Sequence, residues 1–264
     1  MSDIVIIVLA GVATGMTTVL FGFGGGFVVV PFVYRFISHH GGDAVAGQAM
    51  HIAVATSTAV MVLNASLASY KNWKAGTLLA ETLCPLIFFI VPGALLGALL
   101  AGALPDNRIR MLYILYMLFT VADCLLRKGF FMQREKKRLS SFTASAGGVV
   151  IGTVAALLGV GGSVMTVPLL RRHGYAMQHC ISAANPLSVP VAVVASLVYI
   201  FSAPDGMPEN GYLGYINLQI LGLLIVTGFA GIAFTRKFIP PVPDLLHARI
   251  YILLLTGVTI AISL

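Results

Sequence analysis

The sequence predicts an all-α integral membrane protein built from two inverted-topology repeats, each a Gly-broken helical hairpin plus three transmembrane helices. Three observations predict it. Only 9% of the 264 residues are charged, 58% are hydrophobic and the mean hydropathy is +0.96. A soluble domain carries about 25% charged residues, so lipid is the expected solvent. The stretch Gly22-Phe-Gly-Gly-Gly26-Phe-Val-Val-Val-Pro31 recurs as Gly159-Val-Gly-Gly-Ser163-Val-Met-Thr-Val-Pro168, at a constant offset of 137 residues that also relates Gly15 to Gly152 and Arg35 to Arg172. Finally, the basic residues fall in short loops whose placement favours a chain that turns back at each glycine string.

The elements follow in order. Asp3 and Arg35 bracket an uncharged run of 31 residues, longer than the ~20 that one spanning helix needs. Its first part, 4–21, reads as a helix with small Gly11, Ala13 and Gly15 for close packing. The glycine string stops it, because glycine loses the most backbone entropy on ordering. A short apolar piece follows over about 27–37, then a helix from about Gly47 to Tyr70 and a polar turn at Lys71–Lys74 with interfacial Trp73. The span 77–103 carries Glu81 and the small stripe Gly93, Gly97, Ala101; Leu104-Pro105-Asp106 ends it, and the span 109–126 closes the repeat with Asp123 near its end. The second repeat reads as a broken run 143–170, a span 181–202, an acidic loop 203–214, a span 215–235, a proline-rich turn 240–243 and a span 249–264. The organisation is therefore a first repeat (1–126), a basic linker (127–138) and a second repeat (139–264). The opening Met-Ser-Asp lacks a basic n-region and does not resemble a cleaved signal peptide.

Orientation follows from charge. The linker holds Arg127, Lys128, Arg134, Lys136, Lys137 and Arg138 and is expected in the cytoplasm. If each broken run crossed once, the loop with Arg171 and Arg172 would lie outside and the acidic loop inside, both against the rule. A hairpin at each glycine string reverses both placements and brings Lys71, Lys74, Arg236 and Lys237 to the cytoplasmic side, leaving Arg35, Arg108 and Arg110 on the less favoured one. It places the C-terminus outside and makes the halves inverted copies, a symmetry that many secondary transporters share. The expected location is the cell inner membrane, multi-pass.

Duplicated breaks in apolar runs point to a binding site, since lipid tolerates irregular backbone only where protein or a watery cavity satisfies it. Helices that start at the breaks leave N–H groups unpaired and carry the positive dipole end. Gly24, Gly25 and Gly26, with Gly161, Gly162 and Ser163, would let an anion approach those amides closely. Close helix packing is the other reading of the same glycines. Thr56, Ser57, Asn185 and Ser188 follow the breaks and can bind an anion's oxygens or a neighbouring helix; Pro186 suggests local unwinding beside Asn185. Asn64 and Asn217 are further polar candidates, with a structural role as the preferred reading of each. Glu81, His51 and His179 are the candidates for proton coupling, with a snorkelling Glu81 and satisfied interfacial histidines as the alternatives.

No HExxH, CxxC pair, Walker loop or GxSxG is present, so neither an enzyme nor a metal or cofactor is expected. The basic charge serves orientation, not nucleic acid. Cys84, Cys124 and Cys180 imply no disulfide framework. An anion-selective channel would share the breaks and is the alternative to a transporter. The expected partners are a small anionic substrate and membrane lipid, and a homo-oligomer is compatible with such a chain.

The repeated GxGGG/S-x₄-P element, Ala55-Thr56-Ser57, Gly214-Tyr215-Ile216-Asn217-Leu218, and the small-rich span ending in Leu104-Pro105 before Arg110 resemble the sulfite exporter TauE/SafE family of membrane transporters. The resemblance covers nearly the whole chain. It implies a secondary transporter for small anions, with sulfite, sulfonates and related organosulfur compounds as the substrate class. The second repeat departs from the pattern, with Ser163 opposite Gly26 and Ala184-Asn185-Pro186 where the family often has a Gly-Thr pair.

Overall fold

The computed structural model describes residues 2–78, 80–126, 139–204, 207, 208, 210–240 and 242–263, with side chains for all of these except residues 2, 43, 44 and 80–85. The helices are α1 (Ser2–Phe21), α2 (Gly26–His40), α3 (Asp43–Ala46), α4 (Ala49–Lys74), α5 (Ala80–Ala103), α6 (Asp106–Leu126), α7 (Ser141–Leu158), α8 (Ser163–Arg172), α9 (Met177–Phe201), α10 (Leu218–Phe238) and α11 (Asp244–Ser263). A two-stranded pairing, β1 (Tyr212–Leu213) with β2 (Ile216–Asn217), precedes α10. Among the described residues, eight helices are long and apolar enough to cross a membrane: all but α2, α3 and α8.

Both broken runs are hairpins. The end of α2 returns to the start of α1, where the His40 ring lies 4.0 Å from the Asp3 carboxylate. In the second run Leu169, near the end of α8, packs against Gly147 at the start of α7, while Gly162 at the opposite end faces Ile151. A proline sits inside each returning helix, Pro31 in α2 and Pro168 in α8, yet both helices continue through it.

The two repeats are interlocked. The first helix of each packs along a spanning helix of the other, α1 on α10 and α7 on α5, and α4 lies against α9. The seams are made by glycine in the same way twice. A Cβ on Gly15 would drive into the Gly228 carbonyl and stand 2.8 Å from Ile232 N; on Gly152 it would drive into the Ile90 carbonyl and stand 2.8 Å from Ala94 N. Gly93 and Gly97 of the predicted small stripe press on Val149 and Thr153 of α7. With no hydrophobic drive between helices in lipid, such close backbone approach supplies the dispersion contacts that hold the bundle.

Several boundaries differ from those expected. The polar turn at Lys71–Lys74 is the last turn of α4, because buried Asn72 finds a partner in Arg236 of α10; the chain turns instead at Ala75 and Gly76, the latter with φ of 69°. Residues 215–217 are not helical: Tyr215 lies in the β1–β2 hairpin, and Asn217 caps α10 by accepting from Ile220 N–H at 2.9 Å. Helix α9 runs without unwinding through Pro186 and Pro190 and starts before residue 181, so His179 lies inside its first turn; His51 likewise lies in the first turn of α4. The 127–138 linker, Asp205, Glu209 and Pro241 lie outside the described residues, as does the Glu81 side chain. Cys124 and Cys180 are buried, free thiols.

Two of the three arginines on the less favoured side, Arg35 and Arg110, have structural partners. Arg35 Nε donates to Ala261 O at 2.8 Å, and Arg110 donates to Ile262 O and Ser263 O at 3.0–3.2 Å. Both thereby neutralise the negative C-terminal end of α11.

Candidate functional site

The two glycine turns meet beside α4. A Cβ on Gly26 would strike the Gly159 carbonyl, so the first turn of α2 abuts the end of α7 directly. The Ser57 hydroxyl sits at the junction, donating to Gly159 O at 2.7 Å with Gly26 O at 3.1 Å. Gly24, Gly25 and Gly161 have φ of 63°, 101° and 72°, left-handed conformations that L side chains avoid. Gly162 differs: its φ of −67° is ordinary, so the two strings are not conformational equivalents. Helices α2 and α8 start at these turns, and their first N–H groups lack intrahelical partners.

Met61 of α4 bridges the turns. Its Sδ lies 3.1 Å from where a Cβ on Gly24 would stand and 2.6 Å from the same point on Gly161. Ala65, Val189 and Ala192 pack around it. Phe23 stacks on Phe27 at 4.2 Å between centroids and faces Tyr251, forming an aromatic wall on the α11 side. None of the side chains that these contacts place at the turns is charged, so attraction for an anion rests on backbone N–H groups and neutral polar atoms.

The expected ligand groups separate into two sets. Three have given their polar atoms to protein. Thr56 Oγ1 accepts from Asn217 N–H at 3.1 Å, Ser57 ties the turns together, and Ser188 donates to Ala184 O at 2.9 Å within its own helix while lying beside Gly161. Others are buried without partners among the described residues: Ser163 Oγ at the start of α8, and Asn185 Oδ1, whose Nδ2 donates to Thr18 O at 3.1 Å. Asn64 joins them. It is fully buried, both ends of its amide are unpartnered, and it fits between Gly25 and Gly228, with Nδ2 3.2 Å from the point a Gly25 Cβ would occupy.

The histidines lie elsewhere. His51 is 6% exposed, with Nδ1 2.9 Å from Asp106 Oδ1 and Nε2 3.1 Å from Ala101 O, and its ring stacks on Tyr215 at 5.0 Å. The same Asp106 carboxylate accepts from Met50 N–H and His51 N–H at 3.0 and 2.9 Å, capping α4. Asp244 does the equivalent for α9, accepting from Met177 N–H at 2.8 Å while pairing with buried Arg171. Each carboxylate opens the last helix of its repeat after a proline, and each caps a central helix. His179 has a buried Nδ1 without a partner among the described residues, in the first turn of α9. Outside the spans, Tyr215 has its phenol pushed up by burial and, secondarily, by Asp106. Asp123, expected at an interface, pairs with Arg172.

A cavity of about 330 Å³ reaches inward from the end of the bundle that holds Lys74 and Arg236. Asn72, Thr77, Gln178, Ser182 and Arg236 line it, and its floor is Leu20 with Ile181, whose carbonyl lies against Gly22. At the opposite end a smaller cavity of about 230 Å³, lined by His40, Tyr212, Asn217 and Gln219, opens beside the β1–β2 hairpin, while His51 and Asp106 pair, Tyr199 donates to Ala156 O at 2.9 Å, and Gly214 presses on Ile200.

Met61 gave no signal in sequence because an apolar residue in an apolar helix is unremarked. The two capping aspartates did leave one, in the repeated Pro105-Asp106 and Pro243-Asp244.

The family model described as Sulfite exporter TauE/SafE matches residues 7–262, nearly the entire chain. The chain belongs to this family. Two relatives are similar over most of their length. "Probable membrane transporter protein MJ0441" of Methanocaldococcus jannaschii is 23% identical over 269 residues, covering 96% of this chain and 92% of the relative. A "Probable membrane transporter protein" of Haemophilus influenzae is 25% identical over 238 residues, covering 89% and 86%. No solved structure matches the chain. This TauE/SafE protein is accordingly a multi-pass membrane transporter, as the eight apolar helices and both relatives' names agree.

Proposed function

We propose that this TauE/SafE protein is a secondary transporter that moves a small organosulfur anion, sulfite or a sulfonate, across the cell inner membrane by alternating access. The observation that carries this reading is the meeting of two glycine turns between α4 and α9, each starting a helix, with uncharged polar groups buried around them. Two helix N-termini offer about half a positive charge each without a buried Arg or Lys, which lipid makes costly. The larger cavity, about 330 Å³ at the basic end against about 230 Å³ at the other, supports one inward-facing conformation of a cycle. Exchange of these roles is the second half of that cycle. An inverted relation of the repeats is part of this proposal: with each hairpin returning the chain to its starting side and three spans following, the second repeat begins on the opposite face.

Ligand-induced stabilisation tests the site. A panel of sulfite, thiosulfate, sulfoacetate, taurine and simple carboxylates is expected to contain at least one sulfur anion that raises the melting temperature of purified protein, since a ligand at 100 times its Kd adds about 2.7 kcal/mol. Uptake of that anion into proteoliposomes should saturate and show counterflow. No stabilisation by any sulfur anion removes the site, and uptake without saturation or counterflow makes the protein a channel.

Orientation is tested separately. Cysteines introduced as Arg134→Cys and Met207→Cys should label from inside and outside, respectively. Reaction of the first in intact cells, or of the second only after the cells are opened, overturns the topology.

A further inference from the structure

We infer that Asn64 is a specificity-determining residue and that the substrate is a small monoanion carrying its own hydrogen-bond donor, a hydroxyl or amino group, on the side away from its charge. This inference rests on the reading of the glycine turns as an anion site. An anion's oxygens can only accept hydrogen bonds, and the N–H groups of the turns can supply them. Asn64 asks for something more. It is fully buried on α4, its amide lies between Gly25 and Gly228, and neither terminal atom has a partner among the described residues. Which terminal atom is oxygen does not matter, because both are bare: one of them lies beside the Gly25 turn and both lie against Gly228, so one acceptor and two N–H donors are unused there. Asn185 supplies a second bare acceptor nearby. Its Nδ2 is held by Thr18 O, which fixes Oδ1 as the free atom, and Thr18 Oγ1 lies 3.6 Å from the point where a Gly25 Cβ would stand.

Buried polar atoms normally have partners, and an unmade bond at a buried acceptor is costly. A bare dianion would satisfy neither carbonyl oxygen and would bring two negative charges to a site with no cation. A monoanion with a donor at its other end satisfies both demands: its charged oxygens meet the N–H groups and its O–H or N–H reaches the amide oxygen. Sites built to hydrogen-bond a substrate hydroxyl strongly reject the analogue that lacks it. The glycines on either side are what allow an amide here, since a Cβ on Gly228 would lie 2.8 Å from Nδ2.

The test compares 2-hydroxyethanesulfonate with 1-propanesulfonate, which replaces the hydroxyl by a methyl of similar size. Affinities are measured by thermal shift and by competition for uptake on the full chain in detergent and in proteoliposomes. The unaltered protein is expected to prefer the hydroxy compound by at least about tenfold, the worth of one hydrogen bond. Asn64→Leu, of nearly equal volume, should collapse that ratio to within about twofold, and Asn64→Ser, which keeps a smaller polar group, should retain part of it. Equal binding of both compounds by the unaltered protein overturns the inference and leaves the anion site standing. A preference that survives in Asn64→Leu also overturns it. Binding of neither compound, nor of any other sulfur anion, removes the anion site and the inference together. If Asn64→Leu does not fold, the ratio in the unaltered protein and in Asn64→Ser still decides.

Discussion

Replacing Gly25 by valine lowers anion affinity by at least about tenfold, equivalent to ~1.4 kcal/mol. The φ of 101° at Gly25 lies outside the range of a β-branched residue, and holding one there costs about 1–3 kcal/mol. The new Cβ would stand 2.8 Å from Thr14 Cγ2 and 3.2 Å from Asn64 Nδ2, so the turn must shift away from the groups that face it. Gly162→Ala is expected to cost less, because Gly162 has helical φ and the nearest atom to a Cβ there is Ile151 Cγ2, at 3.2 Å, with Thr166 Oγ1 and Leu187 O at ordinary contact distance. Binding titrations on purified, folded variants check the order. A folded Gly25→Val protein with unchanged affinity would mean that the turn's amides do not touch the ligand.

Asp106→Ala is the second large effect, a loss of about 3 kcal/mol in stability. Three bonds depend on this carboxylate: the caps to Met50 N–H and His51 N–H and the pairing with His51 Nδ1. The side chains are 7% and 19% exposed, so water replaces little of what is lost. Asp106→Asn keeps a capping oxygen and should lose less than half as much. Thermal melting in detergent reads both, and melting temperatures within a degree of the unaltered protein would show that the carboxylate holds neither helix nor histidine.

Much of the architecture was legible from composition and duplication. Glycine strings inside uncharged runs can be few things in lipid, and their offset of 137 residues paired them before any contact was known. Charge placement selected hairpins over single crossings, and the approach of His40 to Asp3 agrees. Element ends were less legible because distant residues set them. Lys71–Lys74 reads as a polar turn until Arg236 satisfies Asn72. Tyr215 and Ile216 are apolar enough for a helix, yet pairing with Tyr212 and Leu213 makes them a hairpin. Pro186 suggested unwinding, but α9 keeps its course through it. At the site, sequence favoured Asn185, balanced Thr56 and Ser57 between ligand and helix packing, and read Asn64 as structural, because spare hydrogen-bonding capacity depends on which partners the fold brings. The hydroxyls of Thr56 and Ser57 are committed, whereas the Asn64 amide is not.

The exchange of helices between repeats has a consequence for biogenesis. During synthesis α1 leaves the ribosome before the other described spans, but the surface it packs on, around Gly228 and Ile232, follows only with α10. Its backbone-to-backbone seam must wait in the bilayer until α10 has been inserted, whereas the matching α5–α7 seam closes within a much shorter stretch of chain. Final assembly of α1 is thereby a late, long-range event, and a nascent chain arrested before α10 exposes Gly11 and Gly15 to lipid or to quality-control proteases. Coexpressed fragments divided in the 127–138 linker can still complete both seams, while neither fragment alone can complete either.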